Sequence, residues 1–125
     1  MQLKRWQKIL VLSSYAAVIA ALSLTPAKEM PTVDLWDKLQ HFFAYFVFMV
    51  LAYPVADRLS HKLMLAIAVM AYSALMEFGQ SLSPGRSPSG HDLVANSLGV
   101  IAALLALEVI AALWRRYRRI LRRRR

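Results

Sequence analysis

The stretch EFGQSLSPGRSPSGHDLVAN, residues 77–96, joins one apolar segment to the next and gathers Glu77, Gln80, Arg86, His91, Asp92 and Asn96 around a hinge of Pro84, Gly85, Pro88 and Gly90. Outside it the chain is apolar scaffold, apart from a second polar group at Asp37, Lys38 and His41. The apolar segments flanking the hinge, residues 63–82 and 93–114, each meet the roughly 20-residue requirement of a membrane-spanning helix. Two more lie upstream, at 36–56 and 9–25. The first of these is rich in phenylalanine, and Pro54 near its end bends or closes the last turn. The second follows a short basic start, Lys4, Arg5 and Lys8 around Trp6, and its Ser13, Ser14, Tyr15 and Ser23 hydroxyls can bond back to their own helix.

A basic start before an apolar run is also the mark of a signal peptide, with Thr25-Pro26-Ala27 as a poor cleavage context. An uncleaved first helix is preferred, because Trp6 falls at the predicted interface and three further apolar runs need a partner. The connector before the second helix carries Pro26 and Pro31; Thr32 or Asp34 can cap that helix, with Asp37 as a capping-box partner of Asp34. Asp57 to Lys62 is a tight polar turn. The expected fold is an all-α membrane protein, a compact antiparallel bundle of four transmembrane helices forming a single domain over 1–125, with a basic cytoplasmic tail at 115–125.

Composition agrees. In a chain of 125 residues, 58% hydrophobic against 18% charged is too apolar for a water-soluble domain. Cysteine is absent, which excludes structural disulfides, thiolate catalysis and Cys-ligated zinc. The net charge of +9 is concentrated in the last eleven residues, which hold eight arginines directly after the run ending in Trp114. No aromatic-interleaved basic surface accompanies them, so no nucleic-acid partner is expected. They read as an anchor to anionic membrane lipid, worth about 1 kcal/mol per basic residue near the surface.

Charge also sets an orientation. Lys4, Arg5, Lys8, Arg58, Lys62 and the arginine tail fall on one side of a four-span bundle, and Lys28, Lys38 and Arg86 on the other. The positive-inside bias puts both termini in the cytoplasm. Asp37, Lys38, His41, Glu77, Gln80, Arg86, His91, Asp92 and Asn96 then all lie at the outer side.

The polar residues offer chemistry with structural alternatives beside it. Asp37 and His41 stand one helical turn apart, so the carboxylate can orient the imidazole, support its protonated form or hold it as a metal ligand; alternatively Asp37 is a cap and His41 an interfacial side chain. Glu77 lies roughly 7 to 8 Å below the outer end of its helix, where an acid faces a bundle interior or aqueous cavity and has a partner. Gln80 shares its face, and Ser73 is one turn deeper. Arg86 suits a carboxylate or phosphate with its rigid fork, or pairs with Glu77 or Asp92. Asp92 has capping-box spacing from Ser89, while Asn96, one turn on, shares a face with Gly99 and Ala103, small residues that let another helix approach and bring Asn96 near Glu77 or His41. His91 reads as a loop residue. Glu108 points about 160° away from Asp92 around the helix, toward the inner interface or a tail arginine, and is left out of the site.

Taken together, Asp37-Lys38-x-x-His41 followed by Tyr45, Glu77-x-x-Gln80, Pro84-Gly85-Arg86 and Asp92-x-x-x-Asn96-x-x-Gly99 resemble the pattern of the VanZ-like family over about Pro26 to Ala103. The resemblance implies a small multi-helix membrane protein of bacteria, in a family whose founding type is associated with low-level teicoplanin resistance. The resulting expectation is an outward-facing polar site acting on envelope lipids or precursors with an anionic group, or on glycopeptide susceptibility. A membrane-embedded enzyme would use His41, Glu77 and Asp92 as catalytic groups and Asp37, Lys38, Gln80, Arg86 and Asn96 to bind a phosphoryl or acyl substrate, with a divalent metal held by candidates among Asp37, His41, Glu77 and Asp92. An oligomeric transporter and a membrane scaffold are the remaining readings.

Overall fold

The computed structural model describes residues 3–25, 34–83, 85 and 88–123, with only the backbone of 34–36. It contains α1 (Arg5–Leu24), α2 (Asp34–Ala52), a 3-10 turn (Tyr53–Val55), α3 (Leu59–Gln80) and α4 (Gly90–Arg123). Among the described residues there is no strand. All four α-helices are long and apolar enough to cross a membrane, as a multi-pass membrane protein requires. Leu10, Phe43, Ile67, Phe78 and Leu105 stand exposed on the outside, an apolar surface that lipid rather than water accommodates.

Consecutive helices run antiparallel, and side chains pin their ends. At one end Lys8 Nζ donates to the Pro54 carbonyl at 3.0 Å; at the other Ser83 Oγ donates to the Leu24 carbonyl at 2.8 Å. Pro54 explains where α2 stops, since its ring removes a backbone donor and crowds the preceding turn, so the α-helix gives way to the 3-10 turn. α4 continues helically through Trp114 to Arg123, because arginine is a good helix former and the Arg118 guanidinium lies 5.7 Å from the Trp114 ring centroid.

The core sits where α2 meets the other three helices. Tyr45, Phe48, Met49 and Ala52 of α2 bury against Ala66 and Val69 of α3, Val100 and Ala103 of α4, and Ile19 of α1. Phe48 meets Tyr15 and Tyr72 edge-on, each with centroids 5.5 Å apart, and so joins α1, α2 and α3. Gly99 permits the close crossing of α2 and α4. A Cβ there would lie inside the contact radius of the Phe42 carbonyl oxygen and 3.0 Å from the Phe46 amide nitrogen. Tyr15 departs from its expected bond to its own helix. Its hydroxyl, at the end of a rigid ring, reaches across to the Ala44 carbonyl at 2.9 Å, and Tyr72 returns the arrangement by donating to the Ala16 carbonyl at 2.6 Å.

Candidate functional site

Antiparallel packing brings the start of α2, the end of α3 and the start of α4 to one end of the bundle. Asp37, Lys38 and His41 come from the first, Ser73, Glu77 and Gln80 from the second, and Asp92 and Asn96 from the third. Ser73, Glu77, Gln80, Asp92 and Asn96 are buried, an inside-out distribution beside the apolar exterior.

Asn96 organises the deepest layer. Its Nδ2 donates to Ser73 Oγ at 2.7 Å, so its Oδ1 is the atom that accepts from His41 Nδ1 at 3.1 Å. That bond fixes the proton of the neutral imidazole on Nδ1 and turns Nε2 toward two carboxylates. Nε2 lies 3.6 Å from Asp92 Oδ2 and 3.8 Å from Asp37 Oδ1, beyond hydrogen-bond length. A nitrogen lone pair facing two carboxylates is a place for a cation, whether a proton or a metal ion.

Lys38 already meets part of that demand. Its ammonium contacts Asp92 Oδ1 closely and Asp37 Oδ2 at 3.1 Å. The Asp92 side chain is 9% exposed and that of Asp37 47%, so the cluster grades from the bundle interior to its rim.

Asp92 does not close the capping box that its spacing from Ser89 suggests. The Ser89 carbonyl does accept the Asp92 and Leu93 amides at the helix start, but the Ser89 amide donates to Glu77 Oε2 at 3.2 Å. The acid that caps this helix therefore comes from α3, and Asp92 is free to face α2. Of the four candidate metal ligands, the structure groups three: one ligand atom each from Asp37, His41 and Asp92 lie within 4.8 Å of one another. Glu77 stands apart from that group. Together, two carboxylate oxygens and an imidazole nitrogen suit a divalent cation, and the Asn96 bond behind His41 is the outer support that ligating histidines use.

A cavity of about 140 Å³ opens beside the cluster, lined by Asp37, Gln40, His41, Ala44, Tyr45 and Gln80 and by Ile19, Leu22 and Ser23 of α1. Gln80 thus lines the cavity rather than joining the ion cluster. Tyr45 and Gln40 were not among the expected site residues. Tyr45 is one turn beyond His41, and its hydroxyl is buried without a hydrogen-bond partner among the described residues. Its spacing from His41 is the signal that could have found it. Gln40 carries no such mark, since only the approach of α1 makes it part of a cavity wall. Arg86 lies outside the described residues, as do Lys28 and Thr32. His91 belongs to the first turn of α4 and is exposed.

The model of the VanZ/LLP1 family matches residues 2–112. The chain belongs to the VanZ/LLP1 family. The match takes in α1, α2, α3, the part of α4 up to residue 112, and every polar residue of the cluster just described. No curated protein and no solved structure matches this VanZ/LLP1 chain.

The other end of this VanZ/LLP1 bundle carries a second polar group. Glu108 Oε1 accepts from Tyr53 at 2.9 Å and from Lys62 at 3.1 Å, with Arg115 at 3.9 Å from Oε2. The tail arginine is thus its more distant partner. Lys62, expected in a tight polar turn, belongs to the first turns of α3, is buried and lies 3.8 Å from the Tyr53 ring centroid. Three helical elements are tied there, which accounts for an acid on α4 far from the site.

Proposed function

We propose that this protein is a membrane-embedded enzyme acting on the phosphoryl group of an envelope lipid or lipid-linked precursor. In this reading the polar end of the bundle faces outward, both termini lie in the cytoplasm, and the membrane is the bacterial inner membrane; the basic residues gathered at the opposite end support that orientation. The observation that carries the reading is His41, held by Asn96 so that Nε2 faces Asp37 and Asp92.

Each residue then has a task. His41 Nε2 takes a proton from an attacking hydroxyl or returns one to the leaving alcohol, a role typically worth about 10² to 10⁴ in rate. Asp92, buried and fixed by Lys38, holds the imidazolium that forms. Lys38 sits within reach of the rim and stabilises charge developing on a phosphoryl oxygen. Two carboxylates against one ammonium leave the cluster short of positive charge for an anionic substrate, which favours a divalent cation held by the Asp37 and Asp92 carboxylates, with His41 Nε2 kept for the proton. Such an ion would supply Lewis acidity toward the phosphoryl oxygen. The cavity beside the cluster, with Ile19, Leu22 and Ala44 along one wall, suits the first carbons of a lipid chain.

The test is turnover by purified protein in liposomes containing phosphatidic acid, phosphatidylglycerol or an isoprenyl diphosphate, with released phosphate and head groups read by mass spectrometry. His41→Ala and Asp92→Asn should lower turnover by about a hundred-fold or more while the variants remain folded. Chelation should silence the wild type and Mg²⁺ or Mn²⁺ restore it. No turnover of any of these lipids, or full turnover by folded His41→Ala, defeats the enzymatic reading.

A further inference from the structure

Opposite the polar site, about 30 Å away along α3 at 1.5 Å per residue, the start of α1 and the α2–α3 turn enclose a wide cleft of about 680 Å³. Arg5, Lys8, Arg58 and His61 line it, and Met64 and Leu65 of α3 form its apolar wall. Lys8 spends one donor on the neutral Pro54 carbonyl. Among the described residues, none of Arg5, Lys8 or Arg58 is in an ion pair, although Asp57 also lines the cleft. Neutral bonding of this kind leaves three permanent cations converging on an open concavity.

We infer that this cleft is a binding site for one anionic phospholipid, its phosphate held by Arg5, Lys8 and Arg58 and its first acyl carbons laid along Met64 and Leu65. The guanidinium fork matches phosphate geometry, and a cleft at the end of spanning helices lies at head-group depth. The apolar wall commits the site to a lipid over a free anion: Met64 is 66% exposed and continues directly onto the outer apolar face of α3. The described arginines at the end of α4 act differently, since they project from a single helix and attract the leaflet as a whole. The cleft is independent of the proposed catalysis.

The experiment uses full-length protein in nanodiscs of phosphatidylcholine containing one fifth phosphatidylglycerol, with retained lipid counted by native mass spectrometry. The wild type should keep one phosphatidylglycerol per chain through a delipidating wash. Arg5→Gln combined with Arg58→Gln should weaken that retention roughly thirty-fold. Arg5→Lys combined with Arg58→Lys should largely preserve it, and Arg122→Gln combined with Arg123→Gln should leave it unchanged. Met64→Ser should speed lipid loss with the charges intact. The inference is overturned if the double glutamine variant retains the lipid, if the tail variant loses it equally, or if millimolar inorganic phosphate displaces it.

Discussion

Replacing Asn96 with alanine should both loosen the bundle and move a proton. The side chain is 1% exposed and makes two interhelical hydrogen bonds, to His41 at 3.1 Å and to Ser73 at 2.7 Å, with Ser73 itself fully buried. Such bonds within a membrane average about 0.6 kcal/mol and reach about 1.7, so losing both predicts a destabilisation of about 1–3 kcal/mol. The second effect is specific to the proposed role. Without an acceptor at Nδ1, the neutral imidazole gains by carrying its proton on Nε2, where Asp37 and Asp92 wait at 3.8 and 3.6 Å. Stability is read by titrating SDS into mixed micelles and following helicity. The tautomer is read from ¹⁵N shifts of labelled histidine in a background carrying His61→Gln and His91→Gln. The parent should report the Nδ1–H form and Asn96→Ala a shift toward Nε2–H. Ser73→Ala, which removes one bond and leaves the His41 contact, should cost about half as much stability and keep the parent tautomer. The same tautomer in both proteins would refute the account of Asn96 as the residue that aims His41.

Other expectations follow from single contacts. Gly99→Val should abolish stable folding, because neither the Phe42 carbonyl nor the Phe46 amide can yield without separating α2 from α4, whereas Gly90→Ala meets nothing within 4 Å and should unfold within about 0.5 kcal/mol of the parent. Tyr45→Phe removes a buried hydroxyl that faces Ser73 without a well-formed hydrogen bond and should change stability by less than about 1 kcal/mol, while loss of lipid turnover in that variant marks the hydroxyl as a ligand contact. Glu108→Leu strands the buried Lys62 ammonium and should cost about 3 kcal/mol in the same SDS titration, and Lys62→Met in the Glu108→Leu background should recover most of it.

Hydropathy and charge along the chain were enough to read four spanning helices in an antiparallel bundle, because lipid forces every backbone polar group to be satisfied within its own segment. The small residue at Gly99 marked a close crossing because it leaves room for another backbone. Spacing also singled out Asp37 with His41 and Asp92 with Asn96, since residues one turn apart share a helical face. It could not say which helix each face meets. Ser89 and Asp92 match a capping box, yet the cap is supplied from α3 by Glu77, and Asp92 pairs instead with Lys38 of α2. Glu108 and Lys62 are 46 positions apart and read as an acid aimed at the inner interface or a tail arginine and as a turn lysine; the antiparallel return of α4 along α3 sets them 3.1 Å apart. The sequence by itself determined the helices, their membrane setting and the polar inventory, all of which depend on local pattern; which carboxylate faces His41 Nε2, which hydroxyl is left without a partner and where the basic cleft opens depend on the rotation and depth of packed helices, and only the tertiary structure decided those.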